Sequence, residues 1–338
     1  MGFFLGCFGC GSGLRRPKYD DRVCPEMASV DGGEASGPVA GVKRYGWQEI
    51  ESLTMNFKEV IGVGGYSTVY LAKFPNRALG AVKVYNGSER LNQVFKNELE
   101  INQKLVHPKI VKLIGYCDEI EGGVLVFEYI PKGNLQEHLH NSKSPSLTWK
   151  QRVSIAYQVA QALSYLHEGA GSLQLVHGDI KASNILLDEH LEPQLCDFGL
   201  AKEGFSSMVK PPSSSRGTPM MGSPGYIDPH FLMSGMASKK SDIYSFGVIL
   251  LELITGIEPL VGGSGERLVR LTSMVRTSEG FDVEKVAKMV DPRLGSVDEE
   301  EVKALGSIAG LCLHQLPSLR PSSSEICSMI KERFFFIS

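Results

Sequence analysis

Hydrophobic residues follow two different patterns along this chain. Between residues 57 and 129 they form short β-branched runs, such as 68–71 (T-V-Y-L) and 81–84 (A-V-K-V), which are typical of strands. One stretch of this region, 91–105, has helical spacing instead. The pattern therefore predicts a small β-rich lobe with one main helix, to which we assign residues 46–131.

The pattern becomes helical after a turn signal at residues 131–134 (P-K-G-N). Residues 241–255 are apolar nearly all round, which predicts a helix in the centre of this lobe. Residues 185–187 and 194–196 flank a polar turn and predict a hairpin. Residues 132–338 are thus expected to form a larger, mainly helical lobe, and the predicted fold class is α+β with two lobes.

Composition and charge exclude several classes of protein. Lys and Arg total 35 and Asp and Glu total 38, so the chain lacks the broad cationic surface of a nucleic-acid-binding protein. No run approaches the roughly 18 apolar residues that cross a bilayer. The seven cysteines are scattered, which predicts reduced thiols rather than a disulfide framework. Residues 1–45 show no apolar period after Leu14 and are predicted to be a flexible tail.

Residues 61–70 (I-G-V-G-G-Y-S-T-V-Y) place glycines between two strand-like segments, where backbone N–H groups can approach phosphate oxygens. Alone, this run is more often an ordinary Gly-rich hairpin. Lys83, about twenty residues later on a strand, could reach such phosphates. Glu98, on the predicted helix, could pair with Lys83, although a single helical Glu is usually a surface charge.

Residues 177–184 (H-G-D-I-K-A-S-N), followed by Asp197-Phe198-Gly199, provide the strongest signal. Asp179, Asn184 and Asp197 lie at the ends of strand-like pieces around one hairpin, so a base and two metal ligands can converge. With these motifs, and with the segment 222–229 (G-S-P-G-Y-I-D-P), the chain resembles a eukaryotic protein kinase from about residue 57 to its C-terminus.

The flanking segments 125–135, 241–248 and 290–294 are similar to those of plant receptor-like kinases. Because neither an ectodomain nor a membrane span is visible, the chain resembles the receptor-like cytoplasmic kinases. Lys181, two residues after Asp179, is the form found in Ser/Thr kinases. Serine and threonine are therefore the expected acceptors.

The resemblance implies a role for each residue of the site. Asp179 would accept the substrate proton, Lys181 would steady the γ-phosphoryl group, and Asn184 with Asp197 would hold Mg²⁺, or Mn²⁺ in its place. Phe127 would be the gatekeeper, and Asp242 would brace the catalytic loop from behind. ATP would be bound by Ile61, Gly62, Gly64, Val69, Ala81, Lys83, Glu98, Glu128 and Ile130.

Four positions depart from the kinase pattern. Gly178 stands where an Arg usually precedes the catalytic Asp, so the chain resembles the non-RD class. Ser67 replaces the third glycine of the loop, and Asn102 replaces an apolar residue and should weaken the positioning of its helix. His230 replaces the Glu of A-P-E, so Arg320 needs another partner. None of the four touches phosphate or metal, which favours an active enzyme over a nucleotide-binding pseudokinase scaffold.

The first residues of the tail resemble a dual lipid anchor with a basic patch, formed by Gly2, Cys7, Cys10, Arg15, Arg16 and Lys18. Gly6 stands where a myristoylation signal has Ser or Thr, so S-acylation of the two cysteines is favoured over acylation of Gly2. A metal or redox C-x-x-C pair would need second ligands or a surrounding βαβ unit. The expected location is cytoplasmic, at the plasma membrane, with protein substrates and membrane receptor kinases as partners.

Overall fold

The computed structural model describes residues 41–141, 145–169, 174–204, 222–262, 268–278 and 280–337, which all belong to one compact unit, residues 39–338. The predicted lipid anchor at Gly2, Cys7 and Cys10 lies outside the described residues.

A six-stranded sheet forms the first lobe. The strands are β1 (Lys43–Arg44), β2 (Val60–Val63), β3 (Ser67–Lys73), β4 (Leu79–Tyr85), β5 (Leu113–Cys117) and β6 (Val124–Glu128). Their order in the sheet is β1-β5-β6-β4-β3-β2. Neighbouring strands are antiparallel except for β1, which runs parallel to β5 and lies within the stretch that the sequence assigns to the tail.

Two helices accompany this sheet. Helix α1 (Trp47–Leu53), which the sequence did not predict, buries Ile50 against the sheet, and Trp47 stacks on Phe57 at 5.2 Å between ring centroids. Helix α2 (Glu89–Lys104) is the predicted main helix, and Ser88 caps it by accepting from Leu91 N. Its buried face, at helical spacing, consists of Phe95, Glu98, Ile101 and Asn102. An acid and an amide therefore point inward with the apolar residues.

The second lobe is mainly helical, as predicted. The helices are α3 (Leu135–His140), α4 (Trp149–Glu168), α5 (Pro229–Ser234), α6 (Lys239–Thr255), α7 (Leu271–Met274), α8 (Val283–Ala287), α9 (Glu299–Cys312) and α10 (Ser323–Arg333). The central helix α6 is buried along nearly its whole length. Gly247 allows α9 to approach α6, since a Cβ there would lie 2.8 Å from Cys312 Cβ.

Short two-stranded sheets complete this lobe. The predicted hairpin is present, although its second strand begins at Pro193, one residue before the predicted start. The pairs are β7 (Leu175–Val176) with β10 (Lys202–Glu203), β8 (Ile185–Leu187) with β9 (Pro193–Leu195), β11 (Leu260–Val261) with β12 (Val269–Arg270), and β13 (Arg276–Thr277) with β14 (Gly280–Phe281). Strand β7 leads into the loop that carries Asp179 and Asn184, β8 follows that loop, and β9 leads into the loop that carries Asp197.

Candidate active site

Lys83 binds two carboxylates, one from each lobe. Its Nζ lies 2.9 and 2.8 Å from the two oxygens of Glu98 on α2, and 2.9 Å from Asp197 Oδ1 in the loop after β9. The Glu98 side chain is 1% exposed, so it is not the surface charge that a helical Glu usually is. The pair that the sequence predicts is therefore present, and Asp197 belongs to the same cluster.

The charges of this cluster shift one another's pKa values. Burial raises the pKa of Glu98, and the nearby Lys83 ammonium offsets only part of this effect. Burial would also raise the pKa of Asp197, but Lys83 outweighs it and lowers that pKa to about 2. Asp197 is thus ionised at neutral pH, and it is held at φ +67°, a backbone conformation that is costly for a non-glycine residue.

Tyr85 is a member of the site that the sequence analysis missed. Its hydroxyl donates to Glu98 Oε2, and the ring is almost fully buried. Burial and the Glu98 carboxylate together raise the pKa of Tyr85, so the phenol stays protonated and can donate. Tyr85 follows Lys83 by two residues on β4, which places both on one face of the strand and was the available signal.

Asp242, at the start of α6, holds the catalytic loop through its backbone. Its carboxylate accepts from His177 N at 2.8 Å and from Gly178 N at 2.9 Å, and lies 2.9 Å from His167 Nε2. Gly178 has φ +80°, a conformation that glycine adopts without steric penalty. The predicted brace is present.

Asp179 and Lys181 meet at a serine from the segment 222–229. Lys181 Nζ lies 2.7 Å from Asp179 Oδ2 and donates to Ser223 Oγ at 2.9 Å. Ser223 Oγ in turn donates to Asp179 Oδ1 at 2.8 Å. The sequence analysis used this segment as a motif but gave Ser223 no role. A hydroxyl therefore already lies within hydrogen-bond reach of the predicted base.

Asn184 and Asp197 supply oxygen atoms suited to a hard divalent cation. Asn184 donates its amide hydrogens to Asp179, at 2.9 Å to the backbone oxygen, so Oδ1 is the atom that can coordinate a metal. Cys196 N donates to Asn184 O at 3.0 Å, which fixes Asp197 close to Asn184. Within the described ranges there is no group of three or more His, Cys, Asp or Glu side chains arranged for a metal. An amide and one carboxylate fit Mg²⁺, which usually shares its ligands with nucleotide phosphates and water.

The strand register gathers most of the predicted nucleotide-binding residues near Lys83. Val69 on β3 lies opposite Lys83, and Ala81 lies opposite Phe127 on β6. Gly62, on the edge strand β2, lies opposite Val69. These residues therefore line one stretch of the sheet that ends at the junction of the lobes.

The two ends of this stretch are the glycine-rich turn and the exit of β6. Gly64 N donates to Ser67 O at 2.9 Å, which closes the turn. Ile61, on the strand that precedes the turn, is partly exposed. Glu128 ends β6 and accepts from Lys112 N at 2.7 Å, while Ile130 is buried just beyond. The predicted roles of these four residues concern a bound nucleotide.

Comparison with known sequences agrees with this geometry. The family model of the protein kinase domain matches residues 55–335.

The chain belongs to the protein kinase family.

Its relatives include a probable receptor-like protein kinase of Arabidopsis thaliana, 47% identical over 87% of this chain and 89% of that protein. Salt tolerance receptor-like cytoplasmic kinase 1 of Oryza sativa subsp. japonica is 47% identical over 98% of this chain and 95% of its own length. Calcium/calmodulin-regulated receptor-like kinase 2 of Arabidopsis thaliana is 36% identical over 86% of this chain and 64% of that protein. The chain is a Ser/Thr protein kinase that uses ATP and a divalent metal, with the plant receptor-like kinases as its relatives. Among the described residues, no helix is both long and apolar enough to span a membrane.

The kinase provides the partner that Arg320 requires. Asp228 pairs with the guanidinium through both oxygens, at 2.6 and 2.9 Å, and both side chains are 1% exposed. Asp228 lies two residues before His230 and also caps α5 by accepting from His230 N. An acid shifted by two positions thus replaces the missing Glu.

The other two departures are also accommodated. Asn102 is buried and donates its amide to Glu98 O at 2.8 Å, within its own helix. Phe198, which the resemblance places near residue 102, packs against His177 with the rings tilted by 56° and their centroids 4.8 Å apart. Ser67 is buried and accepts the closing hydrogen bond of the glycine-rich turn. That Asn102 weakens helix positioning stays a prediction.

Proposed function

We propose that this kinase is catalytically active and transfers the γ-phosphoryl group of ATP to serine or threonine hydroxyls of protein substrates in receptor-linked signalling. The observation that carries the proposal is the presence of two neighbouring groups of side chains, Asp179 with Lys181 and Ser223, and Lys83 with Glu98 and Asp197. Phosphoryl transfer needs positioning and charge neutralisation more than covalent chemistry, and these groups supply both.

Each group has a defined task in this proposal. Asp179 accepts the proton of the incoming hydroxyl, and Lys181, 2.7 Å from Asp179 Oδ2, keeps a positive charge beside the transferred group. Lys83, anchored by Glu98, orients the phosphates of ATP. Mg²⁺, held by Asn184 and Asp197, would supply charge neutralisation between the phosphates. The glycine-rich turn and residues 128–130 hold the nucleotide.

The alternative is a pseudokinase that binds nucleotide and acts as a scaffold. It is favoured by Gly178 and Asn102, but neither residue removes a group that contacts phosphate or metal. The test is Mg²⁺-dependent transfer of labelled γ-phosphate to a general Ser/Thr substrate and to the chain itself, with phosphosites mapped by mass spectrometry. Wild-type transfer that disappears in Asp179→Asn supports the proposal. Nucleotide binding without transfer in the wild type supports the scaffold.

We further propose that the kinase acts at the cytoplasmic face of the plasma membrane, with membrane receptor kinases as partners. Two cysteines, Cys7 and Cys10, precede the basic residues Arg15, Arg16 and Lys18 by only a few positions. One acyl chain gives marginal attachment, whereas a second chain or a basic cluster makes it durable. The tail has the chemistry for both.

The double variant Cys7→Ser/Cys10→Ser is expected to move the tagged kinase from the membrane pellet to the supernatant. Gly2→Ala should have a smaller effect, because Gly6 weakens the myristoylation signal. Fractionation of plant cells expressing each variant measures this. If Gly2→Ala releases the protein and the double variant does not, myristoylation is the main anchor and the ranking is wrong.

A further inference from the structure

Asn97 connects helix α2 to residues 199–201, which follow Asp197 in the sequence. It precedes Glu98 on α2, and its Nδ2 donates to Gly199 O at 3.2 Å and to Ala201 O at 3.0 Å. These carbonyls lie two and four residues after Asp197. One side chain next to Glu98 thus holds the segment that begins with the metal-binding Asp.

Gly199 shows how closely this segment approaches α2. A Cβ at residue 199 would lie 3.0 Å from Val94 Cγ1 and 3.1 Å from Glu98 Oε2. Both distances are shorter than most Cβ contacts, so a larger residue would push the segment away from the helix. Close contact with α2 is therefore built into the backbone at this point.

The residues that follow this segment are also linked to the catalytic loop, because β10 pairs with the strand that precedes that loop. Strand β10, residues 202–203, pairs with β7, and β7 leads directly to His177. Gly204 N donates to Gln174 O at 3.0 Å and extends the pairing. Lys104, in the last turn of α2, adds an ion pair with Glu203 at 2.6 Å, but both side chains are more than a third exposed, so we expect this pair to add little.

Tyr85, on strand β4, holds α2 against the sheet. Its hydroxyl donates to the Glu98 carboxylate that Lys83 also binds, and its ring meets Phe95 of α2 edge to face at 5.8 Å. The hydroxyl is neutral and buried, so this contact does not depend on a bound nucleotide. Glu98 is therefore fixed by a cation and by a phenol at the same time.

We propose that Tyr85 and Asn97 are positioning residues that hold α2 against the sheet and against residues 199–201, so that Lys83, Glu98 and Asp197 assemble without a phosphate on the loop that follows. Gly178 offers no cation to such a phosphate, and the two side chains supply the ordering internally. Neither residue is needed to contact substrate or metal. The inference rests on the proposed kinase activity.

The variants Tyr85→Phe and Asn97→Leu each remove one contact. Tyr70→Phe on β3 and Asn92→Leu on α2 make the same changes away from Glu98 and residue 199, and serve as controls. We expect each test variant to lower kcat about tenfold, because Tyr85 loses a hydrogen bond to a carboxylate and Asn97 loses its hydrogen bonds to two carbonyls. The KM for ATP should rise severalfold. Asn97→Asp, which has the same size but lacks the donor, should be impaired at least as much as Asn97→Leu.

The split between kcat and KM separates positioning from simple loss of folding. A variant that only destabilises the fold would have a lower thermal midpoint and a smaller fraction of folded, active enzyme. Its KM for ATP would be unchanged. That result, or test variants that behave like their controls, would overturn the proposal.

A second measurement does not require activity. Amide hydrogen exchange of residues 199–204 should be faster in Asn97→Leu than in the wild type and Asn92→Leu, and affinity for Mg²⁺-ADP should fall in both test variants. If the wild type proves inactive, the proposed function fails, yet these readouts still decide the inference. Unchanged exchange and unchanged affinity would contradict it.

Discussion

Two sets of charged side chains in this kinase are built in opposite ways. The cleft cluster, Lys83, Glu98 and Asp197, has one cation for two carboxylates, and the Asp197 side chain is 41% exposed. The second set, named the C-lobe cluster, comprises two separate ion pairs of the helical lobe, Arg152 with Asp291 and Arg320 with Asp228, and all four side chains are at most 3% exposed.

In the C-lobe cluster, backbone carbonyls accept further hydrogen bonds from both guanidinium groups. Arg320 also donates to His314 O and Lys240 O, each at 2.8 Å, and Arg152 donates to Leu147 O and Leu253 O at 3.1 and 2.9 Å. Such saturated ion pairs stabilise a fold only while both partners remain. The excess negative charge and open side of the cleft cluster instead suit a site that receives a cation. Substitutions should therefore separate activity from stability.

The largest effect is expected in the cleft cluster. Lys83→Met should lower kcat/KM by about 10³-fold, because it removes the charge that orients the phosphates. The fold should persist with a thermal midpoint within about 2 °C of the wild type, since Glu98, whose pKa is already raised, can take up a proton and keep its contact with Tyr85. Kinase assays and thermal unfolding of the same preparation measure both quantities. A large loss of stability would remove the contrast between the clusters.

The same kind of substitution in the C-lobe cluster should act on stability. Arg320→Met leaves Asp228 buried without its partner and should lower the free energy of unfolding by about 3–5 kcal/mol, measured by urea denaturation. Arg44→Met is the control, because the Arg44–Asp118 pair has side chains 61% and 44% exposed and should contribute little to stability. Adding Asp228→Leu to Arg320→Met should restore part of the loss. Equal stability of the Arg320 and control variants would contradict this assignment.

The contrast also explains what the sequence could predict. The motifs predict Lys83 on a strand and Asp197 beside a hairpin, and the structure has both there, while the roles of the site residues stay predictions. Periodicity predicted α2, which buries one helical face, and a nearly continuous apolar run predicted α6, which is buried almost all round.

Other features depend on contacts between segments far apart in the sequence. Asp228 reaches Arg320 across 92 positions, and Asn97 reaches Gly199 across 102, so no local pattern reports them. Helix α1 was missed because its seven residues are fewer than the roughly 11 over which a helical period can be recognised. Its apolar residues Trp47, Ile50 and Leu53 do recur at a spacing of three and pack in one core cluster. The motifs indicate which groups perform the chemistry, whereas the positioning contacts need the tertiary structure.

A smaller difference between the two clusters should appear in how the free energy of unfolding changes at acidic pH. Burial opposes ionisation of Asp291, but Arg293 and Arg152 outweigh it and lower the pKa to about 2 from a usual 3.8. The unfolded chain therefore binds the extra proton at higher pH, so this stabilisation is complete above about pH 5 and is lost as pH falls toward 2. Between pH 6 and pH 3 the loss should be about 1 kcal/mol.

Asp197 has a similarly low pKa, of about 2, but its more exposed side chain is better screened by solvent. Asp291→Asn should therefore flatten the dependence of unfolding free energy on pH more than Asp197→Asn does. Urea titrations at several pH values between 6 and 3 measure the slopes. A steeper contribution from Asp197 would mean that the cleft cluster is as closed as the C-lobe cluster.

The smallest effect is expected from removing phosphate. Gly178 carries no side-chain cation, its backbone is held by Asp242, and the cleft cluster is joined to residues 199–201 through Asn97. A phosphate on the loop between residues 206 and 223 therefore has little leverage on Lys83, Glu98 and Asp197. Phosphatase treatment, verified by mass spectrometry, should change kcat by less than about threefold, under about 1 kcal/mol of barrier. A loss above about a hundredfold, or roughly 2.7 kcal/mol, would show that another cation reads the phosphate and that the cleft cluster is not completed from within.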